Sequence, residues 1–280
     1  MLLAYNTNGL AHHRLDEALE LCAGLGYGGV AITLDVAHLD PFGDWRGQAT
    51  RIRTLAQELD LQLAVETGAR FLLDPQRKHD PNLLASSVAN RTRRVDFYRR
   101  SIDVAAELGA SIVSLWSGAA DRGEGAGDDE LHKRLAAGLV QVLEHAKQTG
   151  VTVSFEPEPG MFIERVDQYT SLKHQAGGSL ESLRMTLDVG HCLVTQDILP
   201  QQAIEDHRSE IAHVHLDDIN NHHHEHVMFG CGDLNLPAVL AALDKIAFSG
   251  MAAVELSRDS HRGAWAAKEA LRCLAEASGP

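Results

Sequence analysis

VTVSFE, residues 151–156, sorts its side chains by parity: Val151, Val153 and Phe155 are apolar, whereas Thr152, Ser154 and Glu156 are polar. Neighbouring residues of a β-strand point to opposite faces, so this stretch has one apolar face and one polar face that ends in an acid. The pattern recurs. In LRMTLD, residues 183–188, Leu183, Met185 and Leu187 oppose Arg184, Thr186 and Asp188. In AHVHLD, residues 212–217, Ala212, Val214 and Leu216 oppose His213, His215 and Asp217. In MAAVEL, residues 251–256, Ala252, Val254 and Leu256 oppose Met251, Ala253 and Glu255. Gln62, Ala64 and Glu66 repeat the pattern earlier in the chain. A sheet covered by helices on both faces calls for near-continuous apolar runs. The parity therefore favours a barrel, with the second face as its interior, over a doubly wound open sheet.

Working outward, eight strand-like runs alternate with stretches of helical spacing. The latter include Leu15, Leu19 and Cys22; Ile52, Leu55 and Leu59; and Leu131, Leu135, Leu139 and Leu143, the last closed by Gly150. Glycine just past a periodic run is a helix stop. Strand–helix alternation predicts βαβ units and a parallel sheet. Eight units over residues 1–280 predict a (β/α)8 TIM barrel in a single domain, with its site on the rim formed by the C-terminal strand ends. No linker or charge block divides the chain.

Composition narrows the partners. The net charge is −14, from 25 Lys+Arg against 39 Asp+Glu, which argues against nucleic acid and anionic membrane surfaces, whose affinity comes from Lys and Arg. There is no apolar run long enough for a transmembrane helix. The N-terminus reads as a strand and a helix rather than as a signal peptide. Cys22, Cys192, Cys231 and Cys273 form no CxxC pair, so free thiols in a reducing cytoplasm are expected.

The last four strands deliver Glu156, Asp188, His215 and Glu255 to one rim. Three carboxylates and an imidazole suit a hard or borderline divalent metal. Without a cation, three buried acids repel one another and must take up protons. At these residues the chain resembles the xylose isomerase-like TIM-barrel superfamily, the sugar phosphate isomerase/epimerase group. SFEPEPG, LDVGH, HVHLDD, HVMFGCGD and AVELSRDSH carry the resemblance, in that order. It implies one Mn2+, Mg2+, Co2+ or Zn2+ ion, Mn2+ foremost, on Glu156, Asp188, His215 and Glu255. It also implies a keto-sugar or polyol substrate, with His191 on a substrate hydroxyl. Homodimers or homotetramers are common in such a family.

A divalent cation beside a carbonyl and its neighbouring hydroxyl favours an enediolate, and a carboxylate at the C–H bond is the base. Glu156 and Glu255 are the expected acid/base pair. Two bases acting on opposite faces of one carbon give epimerisation. Return of the proton to the neighbouring carbon gives isomerisation, and loss of a β-hydroxyl gives dehydration. Glu158 shares the parity of Glu156 and is its alternative as ligand or base. Glu164 reads as a surface helix residue. Phe162 stands where relatives often carry a second substrate-binding glutamate.

Trp116 ends strand four as an apolar wall for a sugar face or as a core residue. Arg258 is expected to hold an anionic or hydroxyl group, or to form a rim salt bridge. The long loop after strand three carries Arg70, Arg77, Lys78 and His79; it reads as a grip on a substrate phosphate or carboxylate through His79 or Arg77, or else as a solvated tip. Six of the 16 histidines fall between His213 and His226. His215 is the expected ligand, and His213 packs below it. His222, His223 and His224 read as solvated, and His226 stands at the substrate or the metal. Two rivals share the barrel. An endonuclease IV-like repair enzyme needs further histidines where strands three and four end in Glu66 and Trp116. A non-catalytic metabolite-binding barrel has no need of four intact ligands.

Overall fold

The computed structural model describes residues 1–68 and 70–279, without the side chain of Arg122; Ala69 of the long loop and Pro280 of the expected domain lie outside the described residues. Strands β1 (Leu2–Asn6), β2 (Gly29–Thr33), β3 (Gln62–Glu66), β4 (Ile112–Leu115), β5 (Thr152–Phe155), β6 (Arg184–Asp188), β7 (Ile211–Leu216) and β8 (Met251–Val254) form a closed parallel barrel in sequence order. Closure is direct: β1 pairs with β8 from Leu2↔Met251 to Tyr5↔Val254. An open doubly wound sheet is thereby excluded, and the chain is a single (β/α)8 TIM barrel.

The outer layer comprises α1 (Leu15–Leu25), α2 (Trp45–Glu58), α3 (Val88–Leu108), α4 (Asp128–Thr149), α5 (Val166–Gln175), α6 (Val189–Thr195), α7 (Pro200–Asp206), α8 (Leu236–Lys245) and α9 (Gly263–Ala277). In α4 the apolar ladder Leu131, Leu135, Leu139 and Leu143 is buried. Each such leucine contributes about 1.5–3 kcal/mol when fully withdrawn from water. Gly150 ends α4 at φ 75°, a left-handed conformation costly to other residues, and its N–H donates to the Ala146 carbonyl.

Strand parity separates two cores. Val153, Phe155, Met185, Leu187, Val214 and Val254 join the large apolar layer between barrel and helices. Ala4, Ala31, Ala64, Met251 and Ala253 form a separate cluster inside the barrel. Another interior group is polar: the Thr186 hydroxyl meets Ser114 Oγ at 2.9 Å and Ser154 Oγ at 2.6 Å. Glu156 and Glu255 lie one residue beyond β5 and β8. Their N–H groups donate to Leu115 and Leu216 carbonyls at 2.8 and 2.9 Å, so the ladder fixes both backbones.

Candidate metal centre

His215, on β7, is the hub of the rim. Its Nδ1 lies 3.0 Å from Glu156 Oε1, 2.9 Å from Glu255 Oε2 and 3.8 Å from Asp188 Oδ2. One donor atom from each of these four residues lies within 4.8 Å of the other three. Asp188 caps α6, its Oδ1 accepting the His191 N–H at 2.9 Å, while its buried Oδ2 has no hydrogen-bond partner among the described residues. Asn8 Nδ2 donates to Glu255 Oε1 at 2.7 Å.

Burial, joined by Asp217, raises the Asp188 pKa well above the usual carboxylate range. Burial also raises Glu156, and it raises Glu158 strongly with help from Glu156 and Glu255. Burial raises Glu255, but His215, joined by His226 and Asn8, holds it below its ordinary value. For His215 burial opposes the charge, but Glu156, Glu66 and Glu255 raise its pKa well above that of a free imidazole. A proton on His215 thus relieves the acids as a divalent cation would. The hard carboxylate set, the imidazole and the orphaned Asp188 oxygen fit such an ion.

Residues 6–277 match the family described as xylose isomerase-like TIM barrel. The chain belongs to that family. It superposes on D-allulose 3-epimerase from Methylomonas sp. with TM-score 0.77 and 15% identity over 99% of this chain and 98% of that one. For D-psicose 3-epimerase from Clostridium cellulolyticum H10 the TM-score is 0.77 and the identity 16%, over 99% of each chain. For 3-keto-D-glucoside 4-epimerase from E. coli they are 0.77 and 17%, over 99% of each. At identities this low, the superpositions establish the shared barrel fold alone. An uncharacterized protein of Methanocaldococcus jannaschii is 28% identical over 173 residues, 59% of this chain and 63% of that relative, so less than two thirds of its length is spanned.

Above the acids the family barrel opens into a cavity of about 580 Å³. Glu156, Glu158, His215 and Glu255 line it, with Trp116 and His79 on one side. The rings of His79 and Trp116 meet edge-on at 5.3 Å. Burial, with Lys78 and Arg94 nearby, pushes His79 down to about 4, so it is neutral at pH 7. Arg70, Lys78 and Arg258 stand at the cavity edge. Arg258 is 67% exposed and pairs with Glu225 at 3.4 Å, the rim salt bridge the sequence allowed.

A second group of donors lies alongside. His191, His224 and His226 bring one nitrogen each within 4.8 Å of one another. His191 is buried behind His224, its Nδ1 at 3.2 Å from the Pro157 carbonyl and its Nε2 at 3.0 Å from His224 Nε2. His226 Nδ1 sits 3.0 Å from Asp217 Oδ2.

Three expectations need correction. His224 is not solvated: it lines the cavity against His191, 3.8 Å from Glu158, because left-handed Asn221 and His222 turn the loop back over the rim. Arg77 does not enter the cavity; it pairs with Asp74 at 3.1 Å and Asp80 at 3.8 Å and is 64% exposed. Glu164 precedes α5 rather than lying in a helix, and its carboxylate accepts from the Gly160 N–H. Phe162 is buried with its ring 4.7 Å from that of His132.

The sequence reading placed Glu66 and Asp217 on inward strand faces without a role in the site, and it missed Asn8. Glu66 and Asp217 were legible in principle, since both continue the inward parity of their strands. Asn8 carries no such signal. The cysteines are free, as expected. Among the described residues, no helix is long and apolar enough to cross a membrane.

Proposed function

We propose that the protein is a divalent-metal-dependent isomerase or epimerase acting on a keto sugar, sugar phosphate or related polyol. The observation that carries this reading is the approach of Glu156 and Glu255 to one atom, His215 Nδ1, at 3.0 and 2.9 Å, at the floor of a sugar-sized cavity. The sugar-epimerase names of the structural neighbours point the same way.

Glu156, Asp188, His215 and Glu255 would hold the ion, with Mn2+ the first choice. When bound, it would supply Lewis-acid stabilisation of charge developing on a carbonyl oxygen. The chain's own residues then divide the proton work. Asn8 fixes one oxygen of Glu255, which is set to take the substrate α-proton. Glu156, which meets the same His215 nitrogen, is set to return one. Glu158 is next in line for the proton-return role. Trp116 offers the apolar wall for a sugar face, while His79, His226 and Arg258 face hydroxyl or anionic groups and His191 backs them through His224. The same proton abstraction would serve a dehydratase.

The test is solvent-deuterium wash-in at the α-carbon of candidate keto sugars with manganese-loaded protein. Label entering one epimer pair or one ketose–aldose pair supports the reading; wash-in with none of a broad ketose and ketose phosphate panel sinks it. The second donor group, His191, His224 and His226, favours a multi-metal hydrolase as the alternative, against which stand the −14 charge and the Glu66 and Trp116 strand ends. A cytoplasmic home and a homodimer or homotetramer complete the proposal.

A further inference from the structure

An imidazole can offer a metal only one nitrogen, and the other must then be satisfied elsewhere. On His215 the division is visible. Nδ1 faces Glu156, Glu255 and Asp188, whereas Nε2 faces across the barrel to Glu66 Oε1 at 3.1 Å. The same Glu66 oxygen meets His213 Nε2 at 3.0 Å. His213 is fully buried and its Nδ1 has no partner among the described residues, so the hydrogen bond of its ring goes to Glu66. The two imidazole rings lie 5.0 Å apart at 86°, an arrangement that lets both N–H groups converge on one oxygen.

The backbone under Glu66 is equally fixed. It pairs in register with Thr33 on β2 and Ser114 on β4, and its carbonyl accepts the Leu34 N–H at 3.0 Å. Glu66 itself is 5% exposed. Burying a carboxylate costs free energy unless hydrogen bonds and opposite charge compensate it. Here His213 and His215 provide the hydrogen bonds.

We propose that Glu66 is the positioning residue of the metal centre. It accepts the Nε2 proton of His215, so that Nδ1 keeps its lone pair for the ion, and His213 holds Glu66 in place. This rests on the metal-dependent reading above. Glu66 touches neither the proposed ion nor the transferred proton; it acts through His215. A carboxylate hydrogen-bonded to a ligating histidine orients the ring and makes it more basic, and losing such a partner weakens metal binding about 10- to 100-fold.

The decisive variant is Glu66→Gln, which keeps the side-chain volume and removes the charge. Zinc and manganese dissociation constants, measured by competition with a chromophoric chelator, should rise about 10- to 100-fold. The thermal midpoint of the metal-free variant is recorded beside them to separate metal affinity from folding. Unchanged affinity in a folded Glu66→Gln protein overturns the proposal.

A second measurement does not depend on Glu66→Gln. Long-range 1H–15N spectra of the zinc-loaded wild type, with His215 assigned by comparison with His215→Asn, should show zinc on Nδ1 and the proton on Nε2. Zinc on Nε2 overturns the role of Glu66 even if Glu66→Gln does not fold. A wild type that binds neither zinc nor manganese refutes the metal reading itself, and the Glu66 proposal with it. Uptake by the wild type with unaltered affinity in Glu66→Gln refutes the Glu66 proposal alone.

Discussion

Asp217 lies directly over Gly190: a Cβ built at position 190 would stand 2.4 Å from Asp217 Oδ1 and 2.6 Å from Oδ2. The carboxylate is fully buried, and the group it faces is His226 Nδ1, 3.0 Å from Oδ2. Its charge raises the His226 pKa well above that of a free imidazole, against the effect of burial. Gly190 sits in α6, where alanine would ordinarily stabilise the helix. The close approach reverses the sign. Gly190→Ala is expected to destabilise the protein by about 1–3 kcal/mol, read by chemical denaturation, as extra atoms do in a packed interior. A variant as stable as wild type would show that Asp217 has room to move.

Glu255→Gln removes the expected base while keeping its hydrogen-bonding shape. Exchange of the substrate α-proton with solvent deuterium should fall by about 10²- to 10⁴-fold, the usual worth of a positioned base. The matching Glu156→Gln variant should lose net turnover more than the first exchange event, because Glu156 is assigned the returning proton. Equal loss in both would mean that the two glutamates are not divided in this way.

The convergence of the four expected ligands was legible because their chemistry follows a period of two along each strand, and barrel register converts that period into a common rim. Glu66 obeys the same rule. Its partner, however, is two imidazoles on β7, across the barrel from β3, and only closure brings them together. His224 was misread for a different reason. Its neighbours Asn221 and His222 adopt left-handed conformations, at φ 51° and 59°, that fold the loop inward. A run of polar residues carries no sign of that reversal. Arg77 was a local matter: Asp74 and Asp80, three residues to either side, claim its charge before any substrate can.

His224→Ala separates a cavity wall from a ligand. The side chain faces the cavity, touches His191 and lies outside the Glu156, Asp188, His215 and Glu255 set. Turnover per KM should fall by about tenfold, corresponding to roughly 1.4 kcal/mol of lost binding. Metal content by elemental analysis should match wild type. Asp188→Ala should instead lose the ion. If His224→Ala loses an ion as well, the His191, His224 and His226 group holds one of its own.

Metal uptake should strengthen as pH rises, and the sign follows from the ligands. His215 is raised well above the ordinary imidazole value, and Asp188 and Glu156 are raised above ordinary carboxylate values. All three bind protons more tightly than usual, on atoms that a cation needs. Proton and metal therefore compete, and binding releases protons. The metal-free fold responds in the opposite direction. The His215 contribution is fully present below its unfolded pKa of about 6.5 and is lost as pH rises through its raised folded value, while the raised acids also bind protons more tightly when folded. Glu66, lowered to about 2, acts only in the acid window, where its contribution is lost as pH falls from the ordinary glutamate value of 4.5 toward that figure. Titration of manganese into the protein at about pH 6 and about pH 8.5, in buffers of different ionisation enthalpy, reads both affinity and protons released. Tighter binding at the higher pH, with net proton release, is the expected result. It should come with a metal-free melting temperature that falls between the same two pH values. Affinity that is flat with pH, with no proton released, would mean that the ion does not displace the His215 proton and that the four residues are not its ligands.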